Sequence, residues 1–134
     1  MVATPEANLA IVKSTYEGSS SEENGRKLQQ ALAPDAKWTE AQGFPYAGSY
    51  TGFDAISFNV FRRLAEEWLD YKVMIDGYVA SGGQVVAYGT YTGICKATNK
   101  AFQARVAHLW KLEAGLIVSF EQFVDSAPVV SSMH

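Results

Sequence analysis

From Tyr71 to Asp125 the chain is a succession of four strand-like segments, Tyr71–Ala80, Gln84–Cys95, Ala101–Leu112 and Leu116–Asp125, with only short turns between them. Those turns, Ser81-Gly82-Gly83, Ala97-Thr98-Asn99-Lys100 and Glu113-Ala114-Gly115, suit hairpin connections. Successive strands are therefore expected to pair antiparallel, in chain order. A meander of this length has one face to cover, and the material that covers it must come from the residues before Tyr71.

Those residues read as helices. Thr4-Pro5-Glu6 offers a capping residue, a proline at the first helical position and an acid in the first turn, with Leu9, Val12 and Tyr16 at apolar spacing behind it. Gly18-Ser19-Ser20-Ser21 interrupts the pattern and Glu22–Leu32 resumes it, giving a helical hairpin. Ala36–Glu40 is a short extended piece, and the glycines and proline of residues 43–52 mark an irregular loop. Ile56, Val60, Phe61, Leu64 and Trp68 then recur at helical spacing, predicting the longest helix over Asp54–Leu69. Val129–His134 is expected to be a frayed tail. Helices first and a meander afterwards give a single α+β domain spanning residues 1–134, with the helices packed on one face of a curved sheet.

Composition narrows the function classes. The 134 residues are 48% hydrophobic and 13% aromatic, enough apolar surface to line a pocket or a subunit contact. A net charge of −3, with no basic run, argues against nucleic acid as a partner. No stretch approaches a membrane span, and the N-terminal residues do not read as a leader. The single cysteine, Cys95, has no internal partner and fits a reducing cytoplasm. With His108 and His134 as the only histidines, no metal site is expected. Nor does any glycine-rich phosphate loop suggest a cofactor.

One strand carries an ionisable group on its apolar face. Phe102, Ala104, Val106, His108, Trp110 and Leu112 alternate to one side, while Gln103, Arg105 and Lys111 take the other. Burial there favours a neutral imidazole, which donates one hydrogen bond and accepts another. On the next strand Leu116, Val118, Phe120, Gln122 and Val124 share a face, so Gln122 is expected to look into the space that His108 faces.

The order of elements, the Gly48-Ser49-Tyr50-Thr51-Gly52 turn into a helix, and Gly115-Leu116-Ile117-Val118 before an aromatic strand ending in Asp125 resemble the nuclear transport factor 2-like superfamily. Within it the chain is most similar to the ketosteroid isomerase-related, SnoaL-like polyketide cyclase branch, over Thr4 to Asp125. The resemblance implies a cone-shaped, barrel-like fold: helices on a strongly curved, mostly antiparallel sheet, around an apolar cavity. It also implies a homodimer. Members include isomerases, cyclases, dehydratases, hydrolases and non-catalytic proteins, so the fold does not fix the reaction. By this resemblance Glu40, ending Ala33–Glu40, stands where ketosteroid isomerases have their general base, and His108 stands where they present an oxyanion-binding acid. Thr15 replaces the tyrosine expected on the first helix, and Tyr16, one residue on, is expected to point elsewhere.

The implied chemistry is proton transfer on a hydrophobic carbonyl compound, without a cofactor, as an isomerase, cyclase or dehydratase performs it. Glu40 would take the proton and His108 would hold the developing oxyanion, with Gln122 as a further hydrogen-bond partner. The competing arrangement is a direct Glu40–His108 structural pair. Trp38, Tyr46, Trp110 and Phe120 would face a ring-containing ligand, with Tyr46 and Tyr50 as lid candidates; parity on its strand leaves Tyr88 on either face. Trp68, on its helical stripe, reads as core. Asp125 is the reserve acid, although parity puts it opposite Gln122, as it puts Arg105 opposite His108. The contrasting function is a binding module that holds the same ligand unchanged, or a structural dimer whose cavity is filled by its own aromatics.

Overall fold

The computed structural model describes residues 4–134; Met1 to Ala3, part of the segment that does not read as a leader, lie outside the described residues. Helix α1 (Pro5–Ser14) starts as its sequence predicts, the Thr4 hydroxyl accepting from the Ala7 amide at 3.1 Å and Pro5 occupying a position whose amide has no helical partner. Helix α2 (Ser21–Ala31) begins the same way, with Ser20 capping Glu23 at 3.1 Å. It runs directly into strand β1 (Leu32–Glu40), and the loop that follows contains a short strand, β2 (Gly48–Thr51), antiparallel to β1.

The predicted third helix is present but not uniform. An α-helical turn, α3 (Phe53–Ile56), passes into a π-helical turn at Ser57–Phe61 and then into α4 (Arg62–Glu67). The wider turn lets Val60 bury while Phe61 lies against Trp38, ring centroids 5.4 Å apart. Trp68 is not helical. It opens strand β3 (Trp68–Ser81) as a buried core residue, its indole N–H donating to the Tyr46 hydroxyl at 2.8 Å.

Strands β3, β4 (Gln84–Cys95), β5 (Lys100–Glu113) and β6 (Leu116–Val124) form the expected antiparallel meander, and β1 joins it parallel to β6, so the six-stranded order is β2-β1-β6-β5-β4-β3. The sheet curves where β3 slips register against β4, between Leu69 and Lys72 and again between Ile75 and Gly77. Gly89 permits the second slip, because a Cβ there would overlap the Met74 carbonyl. Another irregularity, between Lys111 and Leu112, reverses the start of β6: Ile117 is buried and Leu116 exposed, opposite to simple alternation, before Phe120 and Gln122 regain the inner face.

The tail is not frayed. Ser126–Ser132 forms α5, with Val129 and Ser132 buried and the Thr98 hydroxyl bonded to the Ser132 carbonyl at 2.5 Å. Buried Val129, partly buried Met133 and the Thr98–Ser132 bond hold a segment whose sequence alone carries little helical signal. Among the described residues, no helix is long and apolar enough to cross a membrane.

Candidate active site

Between the helices and the concave face of the sheet lies a cavity of about 320 Å³. Its walls are aromatic: Tyr16, Trp38, Tyr71, Tyr91, Trp110 and Phe120 all line it. Trp38 and Phe120 stack, centroids 3.8 Å apart, and Trp110 meets both edge-on. Such packing fixes ring positions and leaves flat apolar faces toward the space.

His108 sits in this wall as β5 parity predicts. Its two ring nitrogens bond two phenols: Tyr16 Oη lies 2.5 Å from Nδ1 and Tyr91 Oη 2.5 Å from Nε2. The Trp110 indole N–H donates to Tyr16 at 2.9 Å. The Gln122 amide N–H donates to Tyr91 at 3.1 Å, and the Gln122 carbonyl accepts from the Ala41 backbone amide at 3.0 Å. Burial without a carboxylate partner pushes the imidazole down to about 3, so the ring is neutral at physiological pH. The same burial pushes the Tyr16 and Tyr91 phenols well above their usual range.

Glu40 lines the same cavity at the end of β1. The competing arrangement, a direct Glu40–His108 bond, is not formed, since both imidazole nitrogens are occupied by tyrosines. Burial drives the carboxyl up to about 8, with the nearby Trp38 indole acting in the opposite direction. Trp38 Nε1 is itself buried and, among the described residues, has no partner at hydrogen-bonding distance. A buried carboxyl and a buried indole N–H therefore sit two positions apart on one strand face, close enough for the indole to favour the carboxylate.

Several expected site residues fall elsewhere. Tyr46 is buried outside the cavity, donating to Glu67 at 2.9 Å beneath the Arg63 guanidinium, so it is structural and not a lid. Tyr50 donates to the Tyr46 carbonyl at 2.7 Å and does not line the cavity either. Tyr88 takes the convex face, where it covers Gly77; Gly89 and Tyr91, on the odd-numbered set of β4, share the face of His108. Asp125 is exposed at the start of α5, outside the cavity, its amide bonded to the Arg105 carbonyl at 3.0 Å. It therefore has no place as the reserve acid. Arg105 lies opposite His108, as parity predicts, paired with Asp76 at 2.6 Å.

Sequence reasoning missed three aromatic hydroxyls. Tyr16 does not point elsewhere: the helix closes at Ser14, the Tyr16 amide bonds Lys13 O in a tight turn at 3.0 Å, and the side chain swings toward β5. Thr15, the residue aligned with the expected tyrosine, spends its hydroxyl on the Val12 carbonyl at 2.7 Å. Tyr91 was legible only through register. The Ala87–His108 pairing places odd residues of β4 beside even residues of β5, and that follows once the turn is taken as residues 96–99. Tyr71 follows the first slip in β3, which no side-chain pattern announces.

Residues 10–120 match the family profile of the SnoaL-like domain. The chain belongs to the SnoaL-like family. Within that family's nuclear transport factor 2-like fold, a Burkholderia thailandensis protein described only as nuclear transport factor 2-like shares 41% identity, a TM-score of 0.89, and coverage of 95% of this chain and 97% of its own. Two more distant crystal structures share the fold alone. A putative SnoaL-like polyketide cyclase from Jannaschia sp. has 16% identity, TM-score 0.79 and coverage of 96% and 92%. A hypothetical protein with a ketosteroid isomerase-like fold from Catenulispora acidiphila, in complex with trimethylamine, has 21% identity, TM-score 0.72 and coverage of 98% and 94%. No curated protein matches the sequence. As a SnoaL-like domain the chain shares its architecture with a putative polyketide cyclase, a hypothetical protein of ketosteroid isomerase-like fold and an epoxide hydrolase. Its own chemistry must be argued from the cavity.

Proposed function

We propose that this SnoaL-like domain is a cofactor-independent acid–base enzyme that moves a proton on a hydrophobic, ring-containing carbonyl compound, as an isomerase, cyclase or dehydratase does. The observation that carries this reading is that Glu40, a buried carboxyl, and the Tyr16–His108–Tyr91 cluster line one cavity. Glu40 removes a proton from the carbon next to a carbonyl, and a polarised hydroxyl of the cluster steadies the enolate oxygen until the proton returns. A group raised to about 8 is mostly protonated at pH 7, roughly one part carboxylate in ten, so it serves either as acid or as base near neutrality.

The assay is deuterium exchange at the α-carbon of a bicyclic ketone such as 2-tetralone, followed by mass spectrometry. Exchange by the wild type, lost in a folded Glu40→Gln variant, supports the reading; equal exchange by both overturns it. Binding of the ketone without any exchange favours the non-catalytic binding module instead, a reading that the aromatic side chains in the lining also suit. For quaternary structure we propose a homodimer through the convex sheet face, where Met74 (63% exposed), Val79 (61%) and Phe123 (50%) stand in water beside Tyr88. Sedimentation of the intact chain as a monomer would end that proposal. The buried, unpaired Cys95 supports a reducing compartment such as the cytoplasm.

A further inference from the structure

The cavity wall supplied by α3 and α4 depends on a change of helical period between them. In a uniform α-helix each residue turns the chain by about 100°, so Phe61, five residues beyond the buried Ile56, would stand ~140° away from it. The π turn closes that gap. The Arg62 amide bonds the Ser57 carbonyl, five residues back, and the wider turn brings Phe61 round to the inner side, where Val60 and Leu64 also line the cavity. Side chains secure the turn: the Phe58 carbonyl, which the Arg62 amide would take in an α-helix, accepts from Arg62 Nε at 3.2 Å, and the Ala55 carbonyl accepts from the Asn59 side-chain amide at 2.8 Å. Phe58 is turned out, 62% exposed, with the Arg62 guanidinium 4.2 Å from its ring.

Phe61 stands at the end of a file of rings. His108 meets Phe120 edge-on with centroids 4.8 Å apart, Phe120 stacks on Trp38 at 3.8 Å, and Trp38 meets Phe61 edge-on at 5.4 Å. Among the described residues Trp38 is the one ring that Phe61 packs against, so Phe61 bounds the apolar space at the end remote from His108. That space measures about 320 Å³. An apolar cavity of about 150 Å³ holds one benzene ring. The space between His108 and Phe61 therefore has room for two fused rings and not for three.

We propose that Phe61, turned inward by the π turn, is a specificity-determining residue that restricts the ligand to a carbonyl compound of two fused rings. The carbonyl end lies by Glu40 and His108, and the far ring abuts Phe61. The carbonyl in this assignment rests on the function proposed above, whereas the limit on ring number rests on the cavity and Phe61.

The test compares the dissociation constants of the full chain, by isothermal titration calorimetry, for 2-tetralone and for a dihydrophenanthrenone that carries one more fused benzo ring. Apolar burial alone favours the larger ketone, so a preference for the smaller one reports the wall. Wild-type protein should bind 2-tetralone about tenfold more tightly, and Phe61→Ala should cancel or reverse that margin by admitting the third ring. Equal or tighter binding of the tricyclic ketone by wild type overturns the proposal, as does a margin that survives in folded Phe61→Ala. Phe58→Ala, on the outer side of the same turn, should keep the margin; its loss there would trace the effect to a loosened helix and overturn the role of Phe61. Should Phe61→Ala not fold, Phe61→Leu replaces it: a reduced margin is expected, and an unchanged one overturns the assignment.

Failure of the proposed function reads differently. Protein that binds the two ketones with the expected margin but exchanges no α-proton keeps the size limit and loses the enzyme. Protein that exchanges without the margin keeps the enzyme and loses the limit. Binding of neither ketone overturns both.

Discussion

Glu40 and His108 face the same cavity from different strands, and both are removed from water, yet their surroundings are opposite. His108 has a partner for each ring nitrogen, and those partners are themselves bonded to Trp110 and Gln122. Glu40 is governed first by its burial, with the Trp38 indole acting in the opposite direction, and among the described residues it forms no such set of bonds. The contrast separates two uses of a buried polar group. A satisfied one fixes geometry, because removing any member strands another without a partner. An unsatisfied one holds its proton near physiological pH and so stays reactive.

The largest break in that contrast should come from Glu40→Gln. Proton exchange on a ketone substrate should fall by about 10²–10⁴-fold, measured as deuterium incorporation, while folding at alkaline pH should improve, because a carboxyl that is costly to ionise in the folded state is gone. Next, His108→Ala should destabilise the domain by roughly 2–4 kcal/mol in urea titrations, leaving two buried phenols without their shared partner and opening a space. A loss near zero would mean the cluster is not the fixed unit described here.

Acidity gives a sharper comparison. Glu40 is raised from the ordinary glutamate value to about 8, so the unfolded chain releases this proton first and stability falls as pH rises from about 4.5 to 8. His108 is lowered to about 3, so the unfolded chain takes up a proton first and stability falls as pH drops from about 6.5 to 3. The two effects oppose one another between about 4.5 and 6.5, and thermal denaturation across pH 3–9 should show its maximum there. Glu40→Gln should remove only the alkaline decline. If exchange uses the Glu40 carboxylate, its rate should climb with pH and level off near 8; a flat profile would count against Glu40 as base.

The smallest effect is expected outside the cavity. The Arg105–Asp76 pair is over half exposed, so Arg105→Ala should cost no more than about 1 kcal/mol, less in high salt. A cost approaching that of His108→Ala would show that the convex face contributes far more than an exposed ion pair does.

How much of this was legible beforehand varies with the range of the interaction. The meander, the cap at Thr4 and the inward side of β5 follow from turn residues, capping chemistry and alternation, which act over a few positions. The inward placement of His108 follows from the same rule. Tyr46 and Tyr88 misled because an aromatic residue in a loop or an irregular strand looks alike whether it packs in the core, lines a cavity or faces out. Asp125 misled because resemblance suggested a role that parity had already opposed.

The amino-acid sequence by itself determined the α+β architecture, the pairing of the four consecutive meander strands and the inner position of the one histidine that matters, since hydrophobic period and turn chemistry are local. Only the tertiary structure decided what that histidine bonds, because Tyr16 reaches it from the turn after α1 and Tyr91 from the neighbouring strand, itself held by Gln122 from the strand on the other side. The course of the chain after a helix end is settled by packing against the sheet, which no local pattern of side chains encodes.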